Sequence, residues 1–348
     1  MLFNIERDEG NQIVGYLVPD AFSGSPSVRI TDGQTDLATL PCQEERAALV
    51  AAGRHETGRC GFTIDDKIVP DLSQQVRLEL YDSETNIRIY RRRPPAQVIQ
   101  KRIFRLETGL VPLWRLDDSL EQHFQFFYKG IERHGGETAT QLFLLNNSGS
   151  LYLSGRLVFK AYENYIDESF TCVAMLRNPY KELAERLLTL KLIRKFADKF
   201  SLLGERDMMA FGPAIEFADT LASDEKVLRR AFGSMPKAVI PNLANPVTRQ
   251  LAARTSDEMP TKGAVAAALG TLSSFAIVGL REGQDLFLAQ FAELLGTDEG
   301  SLPTTAEFSR TAEFADHLKL VPEVELLIEQ DRQVYGAVKS AVEKALQE

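Results

Sequence analysis

The stretch Gln141–Tyr165, QLFLLNNSGSLYLSGRLVFKAYENY, carries residue types at a spacing that suits anion chemistry. Leu142–Leu145 is an apolar run of buried-strand length. Asn146–Ser150 is short and polar, with Gly149 inside it, and the residues from Ser150 to Tyr165 follow in an amphipathic helical pattern. A strand, a tight loop of small residues and a helix turn backbone N–H groups and a positive helix end toward an anion. Ser148, Gly149 and Ser150 would offer N–H groups and hydroxyls, and Asn147 a neutral donor. The expectation is a phosphate-type site. The same residues also suit an ordinary β-to-α turn, in which glycine gives backbone freedom and serine caps the helix.

Such a loop needs a body to hold it, and 348 residues are enough for two domains with a sizeable core. Apolar and charged contents of 44% and 26% are those of an ordinary globular chain. A net charge of −9 argues against a general nucleic-acid binder, which needs a basic surface. A local basic pocket for a small anion stays compatible with it. No run of about eighteen apolar residues marks a transmembrane helix, and MLFNIERDEG does not read as a signal peptide. Cys42, Cys60 and Cys172 show no metal-ligand spacing, and their odd number argues against a disulfide framework, with a Cys42–Cys60 bridge left open. A cytoplasmic location is the expectation.

Residues 1–93 read as all-β. Gln12–Val18, Ser27–Thr31, Gly61–Ile64, Val76–Tyr81 and Asn86–Arg92 are short β-prone runs between Asp, Gly, Ser and Pro clusters, while Glu44–Ala52 suits a helical turn or two. VRLELYD-SETN-IRIYRR predicts a hairpin with apolar residues inward and Arg or Glu outward. The spacing suggests a β-sandwich. Arg91–Arg105, RRRPPAQVIQKRIFR, suits a solvated basic linker over 94–103, or an electrostatic contact with a glycan or the next domain. From 104 to 348 the pattern becomes α/β. Asp118–Arg133 is helical, Gln141–Leu145 and Phe170–Leu176 are strands, and helices follow at Ser150–Tyr165 and Tyr180–Phe200. A third strand is expected at Phe275–Leu280, with helices Gln284–Leu295 and Glu323–Gln347 after it. This alternation predicts a parallel sheet with crossover helices.

Four segments, in order, resemble the sulfotransferase superfamily, above all its bacterial and carbohydrate-directed members. LFLLNNSGSLYLSGRL resembles the family's phosphosulfate loop, P-[RK]-S-G-[ST]-T. CVAMLRNPYKEL resembles the 3′-phosphate motif, in which Arg precedes Asn or Asp and Pro. NLANPVTRQLA resembles an N-x-x-T-R-x-L element of glycan sulfotransferases. FAIVGLREGQDLFLAQFAELLG with the later DRQVY resembles the C-terminal core and last helix. AGRHETGRCGF, Ala52–Phe62, resembles β-sandwich modules beside polysaccharide-modifying enzymes.

The resemblance implies a P-loop-like parallel sheet flanked by helices, preceded by an all-β sandwich domain. It implies transfer of a sulfuryl group from 3′-phosphoadenosine 5′-phosphosulfate (PAPS) to a hydroxyl of a bacterial polysaccharide or other glycan. Ser148–Ser150 would hold the phosphosulfate, Arg177 the 3′-phosphate, and Glu163 would act as base, with His134 a second candidate. Arg249 would lie at the rim of the site, and Trp114 and Tyr128 either stack on a ligand or pack. The chain departs from the pattern at three places. Asn147 replaces the loop cation, Leu151 a phosphate-binding hydroxyl, and Glu185 a serine on the 3′-phosphate. Those departures suit two other readings as well, a glycan-binding or scaffolding protein without the chemistry, or a different nucleotide donor. Homo-oligomer formation is left open.

Overall fold

The computed structural model divides the chain into two compact units, Met1–Arg102 with Leu120–Phe127 and His134–Tyr152, and Ile103–Ser119 with Tyr128–Arg133 and Leu153–Glu348. It describes every residue except 21–23, 94–97, 146–147, 167–168, 196–202, 299 and 348, and the side chains of 205–206.

Short runs alternating apolar and polar residues build the first unit. Its strands are β1 Leu2–Asp8, β2 Gln12–Val18, β3 Ser27–Thr31, β4 Asp36–Pro41, β5 Glu44–Glu45, β6 Arg59–Asp65, β7 Glu79–Asp82 and β8 Arg88–Arg91. They form two antiparallel sheets, β1-β2-β6-β5 and β4-β3-β7-β8. Phe3, Ile5, Ile13 and Leu17 supply buried apolar side chains from alternate positions of β1 and β2.

The expected hairpin is β7–β8, with Leu80 opposite Tyr90. Its charged face is not outward, however. Glu79 and Arg91 are buried, and Arg91 Nε donates to Glu79 at 2.6 Å while Arg88 and Arg91 share Glu121. Arg92 clamps Asp8 with two hydrogen bonds of 2.7 and 2.8 Å. Arg91 and Arg92 are therefore structural ion pairs rather than part of a solvated run, because each has a carboxylate on a neighbouring element.

A five-stranded parallel sheet carries the α/β part of the chain. Its strands are β9 Arg102–Leu106, β10 Phe126–Tyr128, β11 Leu151–Gly155, β12 Phe170–Leu176 and β13 Ile277–Leu280, in the order β10-β11-β9-β12-β13. β9 begins at Arg102, inside the segment expected as a linker. β11 is buried at every position, and β12 at all but one, as a strand covered on both faces requires. Helix Pro179–Lys195 packs Leu183, Leu187 and Leu190 against Ala214 and Phe217 of helix Glu205–Thr220, and against Phe314 and Leu318 of helix Thr311–Lys319.

Phe170–Leu176 and Gln284–Leu295 match expectation residue for residue. The opening stretch does not. Gly136–Phe143 is a helix, and the expected helix begins instead with strand β11, followed by only a short helix, Phe159–Tyr162, and a 3₁₀ turn, Glu163–Tyr165. A four-residue apolar run fits a strand or a helix end equally, and Leu144, 51% exposed between buried Phe143 and Leu145, shows which one formed. LYLSG took the strand because Leu, Tyr and Leu fill a sheet position buried on both sides. Asp118–Arg133 is likewise broken into helix Trp114–Leu120, two 3₁₀ turns and β10. Cys42, Cys60 and Cys172 are free and buried, so the Cys42–Cys60 bridge does not form. Among the described residues no helix is long and apolar enough to cross a membrane.

Candidate functional site

In a parallel α/β sheet the loops after the strands form the place where ligands bind. Here the loops after β9, β12 and β13 line one cavity of about 330 Å³ in the second unit. Its chemistry comes from Glu107 and Thr108 after β9, Arg177 after β12, Glu182 and Glu185 on helix Pro179–Lys195, Arg281 after β13, and Glu307.

The Arg-Asn-Pro motif is built by local rules. Asn178 Oδ1 accepts the N–H groups of Tyr180 and Lys181 at 3.1 and 3.4 Å, so it caps the helix, and Pro179 takes the first helical position, where no N–H is needed. Arg177 is thereby left at the mouth of β12. Its guanidinium is bonded to Glu185 and lies 3.0 Å from Glu307. Burial would lower its affinity for the proton, but the Glu185 carboxylate outweighs burial and holds it firmly charged. Lys181 Nζ reaches the same Glu307 oxygen at 3.1 Å.

Burial raises Glu185 above the usual carboxylate range despite Arg177 beside it. Glu307 is 41% exposed; hydrogen bonds from Lys181 and Arg177 outweigh its modest burial and hold its carboxyl low. Arg281 donates to the carbonyls of Thr305 and Ala306 at 3.1 and 3.4 Å, which fixes the segment carrying Glu307. Nε of Arg177 and Nη1 of Arg281 are buried donors with no acceptor among the described residues.

The loop after β9 follows the central strand of the sheet and leads into helix Trp114–Leu120. Three of its N–H groups are held by carboxylates. Gly109 and Leu113 donate to Glu107 at 3.3 and 2.8 Å, and Leu110 donates to Glu182 at 3.3 Å. A Cβ on Gly109 would stand 3.3 Å from Glu182 Oε2, a tight contact that glycine avoids. Glu107 is anchored by Arg105 at 2.9 Å, which also makes a two-pronged pair with Asp117 at 2.8 Å per bond; Ser154 donates to the same aspartate at 2.9 Å. Full burial pushes the Glu107 carboxyl up.

The residues singled out by sequence are not all brought here. Arg177 and Glu185 line the cavity. Glu163 does not; it pairs with Lys160 at 2.6 Å, with half its side chain exposed. Arg249 also lies outside the cavity lining. It bonds the Pro241 carbonyl, and burial followed by the charges of Arg186 and Arg156 makes it a weaker base.

His134, Ser148, Gly149 and Ser150 belong to the first unit, and Asn147 lies outside the described residues. Ser148 Oγ donates to Gln125 Oε1 at 2.8 Å and accepts from Ser150 N–H at 3.0 Å; Ser150 Oγ accepts from Gln125 N–H at 3.0 Å. These groups register β10 beside the start of β11. No helix N-terminus follows them, so the cradle geometry expected there is replaced by a strand entry. His123 is exposed. Trp114 lies under the cations of Lys129 and Arg133, each 5.5 Å from the ring, and Tyr128 is buried.

Sequence reading missed Glu107, Thr108, Arg281 and Glu307. The signal for the first two was present in RIFRL-ETG, a β-prone run followed by a glycine-bearing loop. The N-x-x-T-R-x-L element serves the scaffold. Asn245 Oδ1 accepts from Gln330 and Asp331 N–H, Thr248 N–H and Oγ1 each reach Asp331 Oδ1 at 2.7 Å, and Gln250 donates to the Glu107 carbonyl at 2.7 Å. Among the described residues no cluster of His, Cys, Asp or Glu could hold a metal ion.

No protein-family model matches the chain, and no curated protein matches it. Among solved structures, a sulfotransferase from Alicyclobacillus acidocaldarius overlaps 66% of this chain and 96% of its own, at 16% identity and a TM-score of 0.31. A likeness of that size carries no argument about the site, whose meaning rests on its own geometry.

Proposed function

We propose that the chain is a sulfotransferase-like protein whose cavity after β9, β12 and β13 takes the phosphate-bearing end of a PAPS-type donor, for transfer of the sulfuryl group to a glycan hydroxyl. The observation that carries this reading is the convergence of Arg177 and Arg281 at the carboxyl ends of adjacent parallel strands, with Lys181 reaching Glu307 beside Arg177 and two buried guanidinium N–H groups that have no acceptor among the described residues. A phosphate would replace Glu307 between Arg177 and Lys181 and meet charge-assisted donors there. The bound donor would supply the sulfuryl group, and the chain's own contribution would be to hold the nucleotide and accept a proton. In this reading Glu185, raised by burial, takes the acceptor hydroxyl's proton in place of Glu163.

A second reading is favoured by a specific observation. The N–H groups that a phosphosulfate would need are held by Glu107 and Glu182. A cavity so neutralised suits a polyhydroxylated glycan bound without transfer, because paired Arg and Glu groups hydrogen-bond sugar hydroxyls and need no net ligand charge.

Calorimetry with 3′-phosphoadenosine 5′-phosphate (PAP) decides the donor. Micromolar binding that disappears in both Arg177→Ala and Arg281→Ala supports the first reading. No heat at high micromolar ligand sinks it, and glycan binding without sulfuryl turnover then establishes the second.

A further inference from the structure

Among the described residues the parallel sheet ends at β13, which pairs with β12 on one side only. Beside it runs an apolar groove of about 1080 Å³ in the second unit, lined by β13 itself and by helices Ala264–Ser273, Gln284–Leu295 and Glu329–Ala345. Leu272, Phe287 and Val338 supply apolar wall, and Leu346, 65% exposed, forms part of the lip. A Cβ at Gly279 would meet the Phe287 ring at 2.6 Å, so the missing side chain lets that ring lie against the strand. The charged groups of the lining are all acidic, namely Glu282, Glu293 and Glu343, and each is exposed; no Lys or Arg lines the groove among the described residues.

We propose that this groove docks an extended segment of a partner protein, alternating apolar and basic residues, that adds a strand to β13. An edge strand presents a row of backbone N–H and C=O groups, and an added strand satisfies them. Alternation places one set of the segment's side chains in the apolar wall and the other toward the carboxylates. Charge selects this occupant over the others. A second copy of the chain, related by a two-fold axis, would set Glu282, Glu293 and Glu343 against an identical acidic rim. A fatty acid or an anionic lipid would bring its head group to the same carboxylates. Among the described residues Glu343 has one ion-pair partner, Lys339 at 3.6 Å, with both side chains more than half exposed, so it can exchange that partner at little cost.

The test uses the full chain and three fluorescent peptides. One alternates valine and lysine, one valine and glutamate, and the third is the valine–lysine peptide N-methylated at alternate residues. Anisotropy should show saturable, salt-sensitive binding of the first, with the second and third weaker by about tenfold or more. The double variant E293K/E343K, with unchanged circular dichroism, should reverse the preference between lysine and glutamate peptides. Failure of the valine–lysine peptide to bind at about 1 mM overturns the proposal. So does equal affinity for the glutamate peptide, which removes the charge argument, or for the N-methylated one, which removes strand addition. A wild-type dimer in sedimentation that Leu346→Lys dissociates would also overturn it, by giving the groove to a second copy.

Discussion

Glu307→Gln should tighten PAP binding. The Glu307 carboxylate sits 3.0 Å from Arg177 and 3.1 Å from Lys181 through the same oxygen. With 41% of the side chain exposed, solvent screens both contacts, and each is worth roughly 0.5 kcal/mol. A phosphate that displaces the carboxylate forfeits both, about 1 kcal/mol in all, which corresponds to a factor of about five in Kd. Glutamine keeps the shape and weakens the competition, so the variant should bind about fivefold more tightly in calorimetry at low salt. The gain should shrink toward one at about 1 M salt, where the Debye length falls to about 3 Å. It should also shrink in acid. Hydrogen bonds from Lys181 and Arg177 hold the Glu307 carboxyl below its ordinary value of 4.5, so it stays charged and competing at neutral pH. Only as pH falls through that lowered value does the wild type come to resemble the variant. Unchanged or weaker binding in Glu307→Gln, with wild-type binding intact, would refute the displacement of Glu307. A gain that survives high salt would refute its electrostatic origin.

Arg177→Lys should weaken PAP binding nearly as much as alanine, because lysine cannot bridge Glu185 and a second acceptor with a rigid fork; calorimetry against the alanine variant measures this. Asp117→Leu should cost about 3–5 kcal/mol of stability, since Arg105, 2% exposed, loses the two-pronged one of its two paired carboxylates; the denaturant midpoint should fall at constant m. Thr248→Val should cost about 1–3 kcal/mol by leaving Asp331 short of a donor, and Thr248→Ser should restore most of it in the same assay. Acid should open the first unit before the second. Burial would raise Asp8 and Glu79, but hydrogen bonds and charge from Arg92, Tyr90, Tyr81, Arg88 and Arg91 outweigh it, so their stabilisation is present above 3.8 and 4.5 and is lost as pH falls. Burial raises Glu107 and Asp331, whose contribution is instead full in acid and is lost as pH rises through their raised values. Peptide-resolved hydrogen exchange should show β1 and β8 losing protection before β12 on going to about pH 3; the reverse order would contradict this assignment.

The elements legible in the sequence were those whose pattern had one structural solution. Phe170–Leu176 is long, apolar and followed by Asn-Pro, so strand and helix start were both readable. QLFLL was not, because four apolar residues do not distinguish a strand from the end of a helix, and the deciding contacts come from residues far away in sequence. Gln141 Nε2 donates to the Phe3 carbonyl at 2.8 Å, across 138 positions. β9 was hidden for another reason. Two of its five residues are arginines, and Arg105 reads as a surface residue until Asp117 and Glu107 are seen beside it. Of the candidate site, Arg177 was legible from its motif. Arg281 and Glu307 carry no local signal, and only the sheet order and the Thr305–Phe308 segment bring them to Arg177.

The scaffold and the cavity use the same kinds of residues to different ends, and burial separates them. Four carboxylates line the cavity, and three of them, Glu107, Glu182 and Glu185, are 5 to 8% exposed. Each of those three answers a buried cation or a loop N–H. Removing any of them would leave Arg105, Arg186, Arg177 or the loop backbone short of a partner, at a cost of several kcal/mol. Glu307 alone among the four is substantially exposed, on a segment held by Arg281 through backbone carbonyls rather than by a helix or a strand. A ligand that displaced one of these carboxylates would do so at least cost at Glu307. Its chemistry must then resemble a carboxylate held between Arg177 and Lys181, which an anionic or strongly hydrogen-bond-accepting group does and a cation does not.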